Sequence, residues 1–323
     1  MIKTNEEVSI SIENNKNFNK KQIQKWKRNI FIWQVVLSAG IFLFRINQGP
    51  LVAIAFGEAI SYKYIAWMLF GKFIGQTFIT SWSNHHLRSD LAFKICGGLY
   101  IFYFASFVYA IYNKSITALI LSIIFMTLTY VASIARNETY RYVGLRDHHI
   151  YMFIYIAYTF GFLLYFVLGQ HLAFYTAIFL PTISIFLDYP KFYIHKYIED
   201  TGGTAPKYYL LVIAIISFIG SYAQKLSLVK ESNYTILFFI IISLLVIQKF
   251  RDKYKLIDYF IGIIWLILVM LSFLGIRNIA IYYVLQQLTG ILILHFNFKG
   301  RWYKFINANA VAFLTGFIVW QFL

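Results

Sequence analysis

The chain has little of what a water-soluble protein is built from. Only 13% of its 323 residues are charged, and its acidic residues number 13 against 29 lysines and arginines. A soluble domain carries about 25% charged residues. One cysteine, Cys96, excludes an internal disulfide; it sits in an apolar run, where a small inert residue fits. Motifs are missing too. "TGGTAPK" does not match a phosphate-binding loop, no Gly-x-Ser-x-Gly elbow occurs, and no His-Glu-x-x-His pair offers zinc ligands. The doublets His85-His86 and His148-His149 have no carboxylate or cysteine at a recognised spacing, so no metal and no cofactor is expected. ATP-driven pumping by this chain alone is excluded on the same grounds. The first 28 residues are polar, which is not the pattern of a signal peptide.

What is present is apolar sequence in long blocks. Hydrophobic residues make up 60% of the chain and the mean hydropathy is +0.64. A β-barrel would alternate apolar and polar residues. Here the runs are continuous and of the length a helix needs to cross a bilayer, ~20 residues. The expected fold is therefore an all-α polytopic membrane protein. Eleven segments can be placed, near 30–47, 64–82, 93–112, 116–134, 150–168, 171–187, 208–224, 233–248, 257–274, 278–296 and 305–322. Residues 48–62 are apolar but short, and interrupted by Gly49, Pro50, Gly57 and Glu58. They extend the first helix past a proline kink or fold back at the surface. The longest internal hydrophilic connection, 188–207, divides the chain into a basic N-terminal segment with a six-helix bundle (1–28 and 29–187) and a five-helix bundle (208–323).

Charge sets an orientation. With the N-terminus inside and the segments alternating, 22 of the 29 Lys and Arg residues fall on the inner side, six on the outer side, and Lys72 within a segment. Inversion would reverse a nearly fourfold bias, so the C-terminus is expected outside. The same bias accounts for the +16 net charge without nucleic acid. The expected partners are the lipid bilayer and a small-molecule or amphiphilic substrate. Richness in Ile, Lys, Asn and Tyr points to a low-GC bacterial source, and so to a bacterial cytoplasmic membrane.

One stretch breaks the apolar pattern. "SWSNHHLRSD", 81–90, lies between the second and third segments, where a short cytoplasmic loop is expected; "QKFRDKYKLIDYF" joins the eighth and ninth in the corresponding place. In this the chain resembles the major facilitator superfamily of secondary transporters. That family has a Gly-rich end to its second helix and a loop of the form Asp-Arg/Lys-x-Gly-Arg-Arg/Lys. The resemblance places Asn84 at the acid, His85 at the first base, Leu87 at the glycine and Arg88 at a later base; Asp252 and Lys253 stand as acid and base in the second loop. It implies a latch, in which these groups pair with helix ends and hold the inner gate shut. Asn84 in place of the acid weakens the charged part of it. "ARNETYRYVGLRD" resembles the family's Glu-x-x-Arg stretch at Glu138, Arg141, Gly144 and Leu145, and Gly161 and Gly169 stand where the family packs helices closely. The resemblance spans roughly residues 25 to 275, with every motif degenerate and a twelfth helix missing.

An ionisable group deep in a bilayer costs about 2.5–3.5 kcal/mol or more, and needs a partner, water or a purpose. Lys72 lies mid-segment, where its stem cannot easily reach either surface. Arg45 is near the outer end of the first segment, and Glu58 follows in position to neutralise Arg45 or Lys63. If the first two helices line a central cavity, as the resemblance implies, Arg45 and Lys72 make one wall cationic and favour an anionic substrate. Gln286 and Gln287 in the tenth segment are further pathway candidates, of which only one can face inward. The expected function is secondary transport by alternating access. Two rivals stand beside it: a membrane-embedded transferase on lipid-linked or acyl substrates, using the inner-side histidines, and a non-transporting peptide-immunity or signalling protein.

Overall fold

The computed structural model describes residues 20–145, 174–196 and 302–322, with single positions between 153 and 172 and between 210 and 222. These residues are helical and form no strand; one isolated antiparallel bridge joins Arg88 and Tyr193. The seventh segment is described only at scattered positions, and the eighth, ninth and tenth lie outside the described residues.

Helix α1 runs from Lys20 to Phe56 without a break, at 37 residues and about 55 Å. Pro50 lies inside it. A proline deprives the carbonyl four residues back of its donor, and polar side chains are stationed on this part of the helix. Asn47 Nδ2 donates to the Leu43 carbonyl at 2.8 Å, and Ser61 Oγ donates to the Gly49 carbonyl at 2.9 Å. Residues 48–56 therefore extend the first helix rather than folding back at the surface. The turn comes at Gly57, whose φ of 92° and ψ of 159° suit glycine almost alone.

Helix α2 (Glu58–Ile74) passes through a π-helical turn (Gly75–Ile79) into α3 (Thr80–His86). Most of the polar stretch 81–90 is thus helix. Only Leu87 and Arg88 are extended before α4 (Ser89–Asn113) begins, which corrects the expectation of a loop across 81–90. Lys114, at φ 50°, caps α4, and Ser115 accepts from the Ala118 amide to start α5 (Ile116–Leu128). A 3-10 turn (Thr129–Ala132) joins α5 to α6 (Ser133–Tyr142). Helical residues between 153 and 180 lead to α7 (Ile183–Phe186), and α8 (Trp302–Phe322) closes the chain. Gly169 has φ 72° with nothing within 4 Å of a Cβ added there, so it serves a change of backbone direction and not the close helix packing expected of it.

Close packing occurs instead at Gly71 on α2 and Gly75, four residues on, at the start of the π turn. A Cβ on Gly71 would stand 2.4 Å from Thr127 Oγ1, and one on Gly75 would stand 2.7 Å from the Thr127 carbonyl and the Tyr130 ring. This is the small-x-x-x-small device by which two helices bring their backbones together. Inside the bundle Phe44 stacks on Phe174 at 5.3 Å and lies 4.2 Å from Phe104, with Tyr103 and Phe107 around it.

The core is mainly apolar, but polar groups are buried with it and large apolar side chains are left on the surface. Gln34, Gln48, Lys72, Gln76, Asn137 and Glu138 are buried, while Ile54, Phe78, Phe102 and Ile120 are more than half exposed. Water-soluble domains bury apolar side chains and expose charge. The helical runs Ser89–Asn113 and Ile116–Tyr142 are long and apolar enough to cross a membrane.

The helices alternate in direction, so the bundle has two distinct ends. The start of α1, the α3–α4 junction, the end of α6 and residues 188–195 meet at one, the linker end: Trp26 lies 6.3 Å from Tyr142, which stacks on Phe192 at 4.6 Å. The Gly57 and Lys114 turns lie at the other, the turn end. Helix α8 is antiparallel to α2, with Phe313 beside Tyr130 and Trp320 beside Tyr62 near the turn end.

Candidate functional site

A buried polar pair stands on α2 where the π turn begins. Lys72 and Gln76 are four residues apart, which puts both on one helix face. They are 3% and 2% exposed. Lys72 Nζ lies 5.6 Å from the Phe313 ring centroid of α8, within reach of a cation–π interaction. Tyr130 meets the same ring edge-on at 6.1 Å. Ser133 Oγ donates to Gln76 Oε1 at 3.2 Å, while Gln76 Nε2 has no hydrogen-bond partner among the described residues. Thr80 Oγ1 lies 2.9 Å from the Gly75 carbonyl and 3.3 Å from the Tyr130 carbonyl, tying the widened turn to the α5–α6 junction. A π turn inside an α-helix often marks a functional position. Here it directly follows the turn that carries the ammonium group and itself carries the amide donor.

A second polar band lies nearer the turn end. Gln48 Nε2 donates to the hydroxyls of Tyr64, at 3.1 Å, and Tyr103; the Tyr64 hydroxyl is 3.3 Å from Ser122 Oγ. These uncharged groups satisfy one another across α1, α2, α4 and α5, which fixes helix positions in an apolar surrounding.

At the linker end the geometry is that of a clasp. Ser89 and Phe192 pair reciprocally: the Ser89 amide donates to the Phe192 carbonyl at 3.0 Å, and the Phe192 amide to Ser89 Oγ at 3.4 Å. Ser89 Oγ also donates to the Pro190 carbonyl. Tyr189 stacks on Phe93 at 4.4 Å, and burial, reinforced by nearby Cys96 and Tyr140, pushes its phenol well above the usual tyrosine range, so it stays protonated. Asp188 receives Lys25 at 3.1 Å, and Asn29 Nδ2 donates to its carbonyl at 2.8 Å.

The described gate-loop candidates, Asn84, His85, Arg88, Glu138 and Arg141, fall around this clasp. Arg88 holds Asp90 through two contacts of 3.1 Å and so engages the first turn of its own helix. His85 faces His195 with ring centroids 6.3 Å apart, and His86 stacks on Trp82. Asn84 Oδ1 is buried without a partner among the described residues. Glu138 is almost fully buried, with Oε1 3.8 Å from Arg141 and Oε2 unpartnered among the described residues.

Of the pathway candidates, Lys72 is brought into the polar site, while Glu58 is exposed at the first turn of α2. Arg45 lies on α1, but its side chain is outside the described residues, as are Gln286, Gln287, Asp252 and Lys253. His148 and His149 are outside them too. Among the described residues no group of three His, Cys, Asp or Glu side chains is placed to hold a metal ion. The site residues missed from sequence are Gln76, Ser133, Tyr130 and Phe313. Gln76 had a signal, its four-residue spacing from Lys72; the others are contributed by helices distant in sequence. No family model, curated protein or solved structure matches the chain.

Proposed function

We propose that the chain is a multi-pass membrane transporter that carries a small anionic solute by alternating access, as the facilitator resemblance implies. The observation that carries this reading is the burial of Lys72 beside Gln76 at the π turn of α2. An ammonium kept 3% exposed inside an apolar bundle is expensive. That expense has a use if the charge meets an anion, because electrostatic attraction is far stronger there than in water. Ser133 occupies Gln76 Oε1 and leaves the Nε2 donor to a ligand. The exposed apolar side chains and the two helical runs long enough to cross a bilayer support membrane insertion, and the 22-to-6 bias of basic residues favours a cytoplasmic linker end. On this reading the clasp at 188–195 closes the cytoplasmic gate, and substrate release requires Ser89 and Phe192 to part.

The test is uptake by proteoliposomes of a panel of labelled small anions and matched cations. Lys72→Met keeps the length and the apolar stem while deleting the charge. It is expected to leave a folded protein and to lower anion uptake at least about tenfold, as loss of ~1.4 kcal/mol of binding would. Gln76→Leu is expected to act in the same direction, less strongly. Unchanged anion uptake in Lys72→Met overturns the proposal, as does transport of cations alone.

A further inference from the structure

A groove of about 630 Å³ runs between α2 and α5 on the outward-facing side of the bundle. Its origin is legible in the packing. The two helices touch at Gly71 and Gly75, where no side chain separates them. Towards the turn end, α2 carries side chains in place of glycines and the helices leave a channel between them. Ile60 and Trp67 line one wall, Ile116 and Ile120 the other, and Thr127 marks the closed end. From Ile60 to Ile74 the lining spans fifteen residues of α2, about 21 Å along the helix. Behind it the Tyr64–Ser122 contact consumes the polar groups of the floor.

We propose that this groove binds one acyl chain of an anionic phospholipid from the leaflet at the turn end. The inference rests on the membrane reading above, though not on transport. Three features select the occupant. The walls are apolar, with Ile120 and Trp67 about half exposed, so they offer no hydrogen bonds that a peptide backbone would need. The lined length, about 21 Å, is more than half the ~30 Å hydrocarbon core, which suits an extended chain. Lys63 lines its mouth, one turn into α2, and no ion pair among the described residues engages it. A lysine there reaches the headgroup layer along its apolar stem and meets phosphate. Zwitterionic lipid brings its own cation to that phosphate, so the preference is for an anionic headgroup.

The full chain is purified in mild detergent with equal phosphatidylglycerol and phosphatidylcholine, and retained lipids are counted by native mass spectrometry. One tightly held phosphatidylglycerol per chain is expected. Ile120→Trp, a substitution at an exposed position that fills the groove, is expected to lose it. Lys63→Gln is expected to keep a lipid but reduce the preference for phosphatidylglycerol about fivefold, the worth of one lysine at an anionic surface. Equal retention in Ile120→Trp overturns the site, an unchanged preference in Lys63→Gln overturns the headgroup assignment, and a lipid-free dimer gives the groove to a second copy instead. Alkaline carbonate extraction of native membranes separates the two readings. Release of the chain sinks the membrane assignment itself, whereas a retained chain with an empty groove sinks only this inference.

Discussion

The two ends of the bundle are closed by different means. At the turn end, α1 passes to α2 through Gly57 alone, and α4 to α5 through Lys114 and Ser115. These joints are covalent and short, with positive φ at Gly57 and Lys114. At the linker end the closure is made by a segment remote in sequence, held by hydrogen bonds to Ser89, an ion pair at Asp188 and aromatic stacking at Tyr189 and Phe192. Contacts of the second kind can be broken and remade without moving a helix joint. The part that opens in a switching protein is drawn from such reversible contacts, so under the proposed transport cycle motion belongs to the linker end and rigidity to the α2–α5 contact.

The sharpest way to break that comparison is at the rigid contact. Gly75→Val inserts a branched side chain where even a Cβ stands 2.7 Å from the Thr127 carbonyl. Backbone cannot rotate away, so the loss is expected at the upper end of the ~1–3 kcal/mol range for overpacking. Gly71→Ala is milder, because its clash is with the Thr127 hydroxyl, a side-chain atom that can turn. Thermal unfolding of the two variants in one detergent checks the order. Equal melting temperatures would mean that α2 and α5 slide freely and that the rigid element lies elsewhere.

How much of this was legible beforehand can be argued from single residues. Helical class followed from continuous apolar runs, and Lys72 stood out because a lone charge in such a run has no surface to reach. Gly71 and Gly75 carried a readable four-residue spacing, but their partner, Thr127, is a property of the folded bundle. The stretch 81–90 misled for a physical reason. Its polarity reads as a loop, yet polar residues also end a helix that protrudes beyond the apolar layer, and α3 continues to His86. Charge drew attention to Arg88, whereas the groups that reach the linker are the Ser89 hydroxyl and backbone amides, which no charge pattern reports. Gly169 was read as a packing glycine when its φ makes it a turn.

The second prediction sharpens the linker end. Ser89 is fully buried, and Ser89→Ala removes both the donor to the Pro190 carbonyl and the acceptor of the Phe192 amide, while the Ser89 amide keeps its bond to the Phe192 carbonyl. A hydrogen bond is worth about 0.5–1.5 kcal/mol, and the buried acceptor left behind moves the expectation to the top of that range. That shifts a balanced open–closed equilibrium about tenfold. Ile194 is inaccessible in the closed arrangement. A cysteine placed there is expected to react with a membrane-impermeant maleimide about tenfold faster in the Ser89→Ala background. An unchanged rate would show that the clasp does not open, and would hand the gating role to some other part of the chain.

The smallest effect concerns charge at the same place. Lys25 and Asp188 meet at 3.1 Å, but their side chains are 48% and 38% exposed. Solvent screens such a pair, and its coupling is expected at about 0.2–1 kcal/mol. Asn29 donates to the backbone carbonyl of Asp188, so this tether survives Asp188→Asn. A double-mutant cycle on Lys25→Gln and Asp188→Asn, read by the same maleimide rate, isolates the pairwise part. It is expected to fade at 1 M salt, where the screening length falls to about 3 Å. The Ser89→Ala effect, carried by a neutral buried hydrogen bond, is expected to persist there. The contrast between the two salt responses decides what holds this end shut. A coupling above about 2 kcal/mol, or one indifferent to salt, would make this ion pair the main tie at the linker end and demote the backbone clasp to packing.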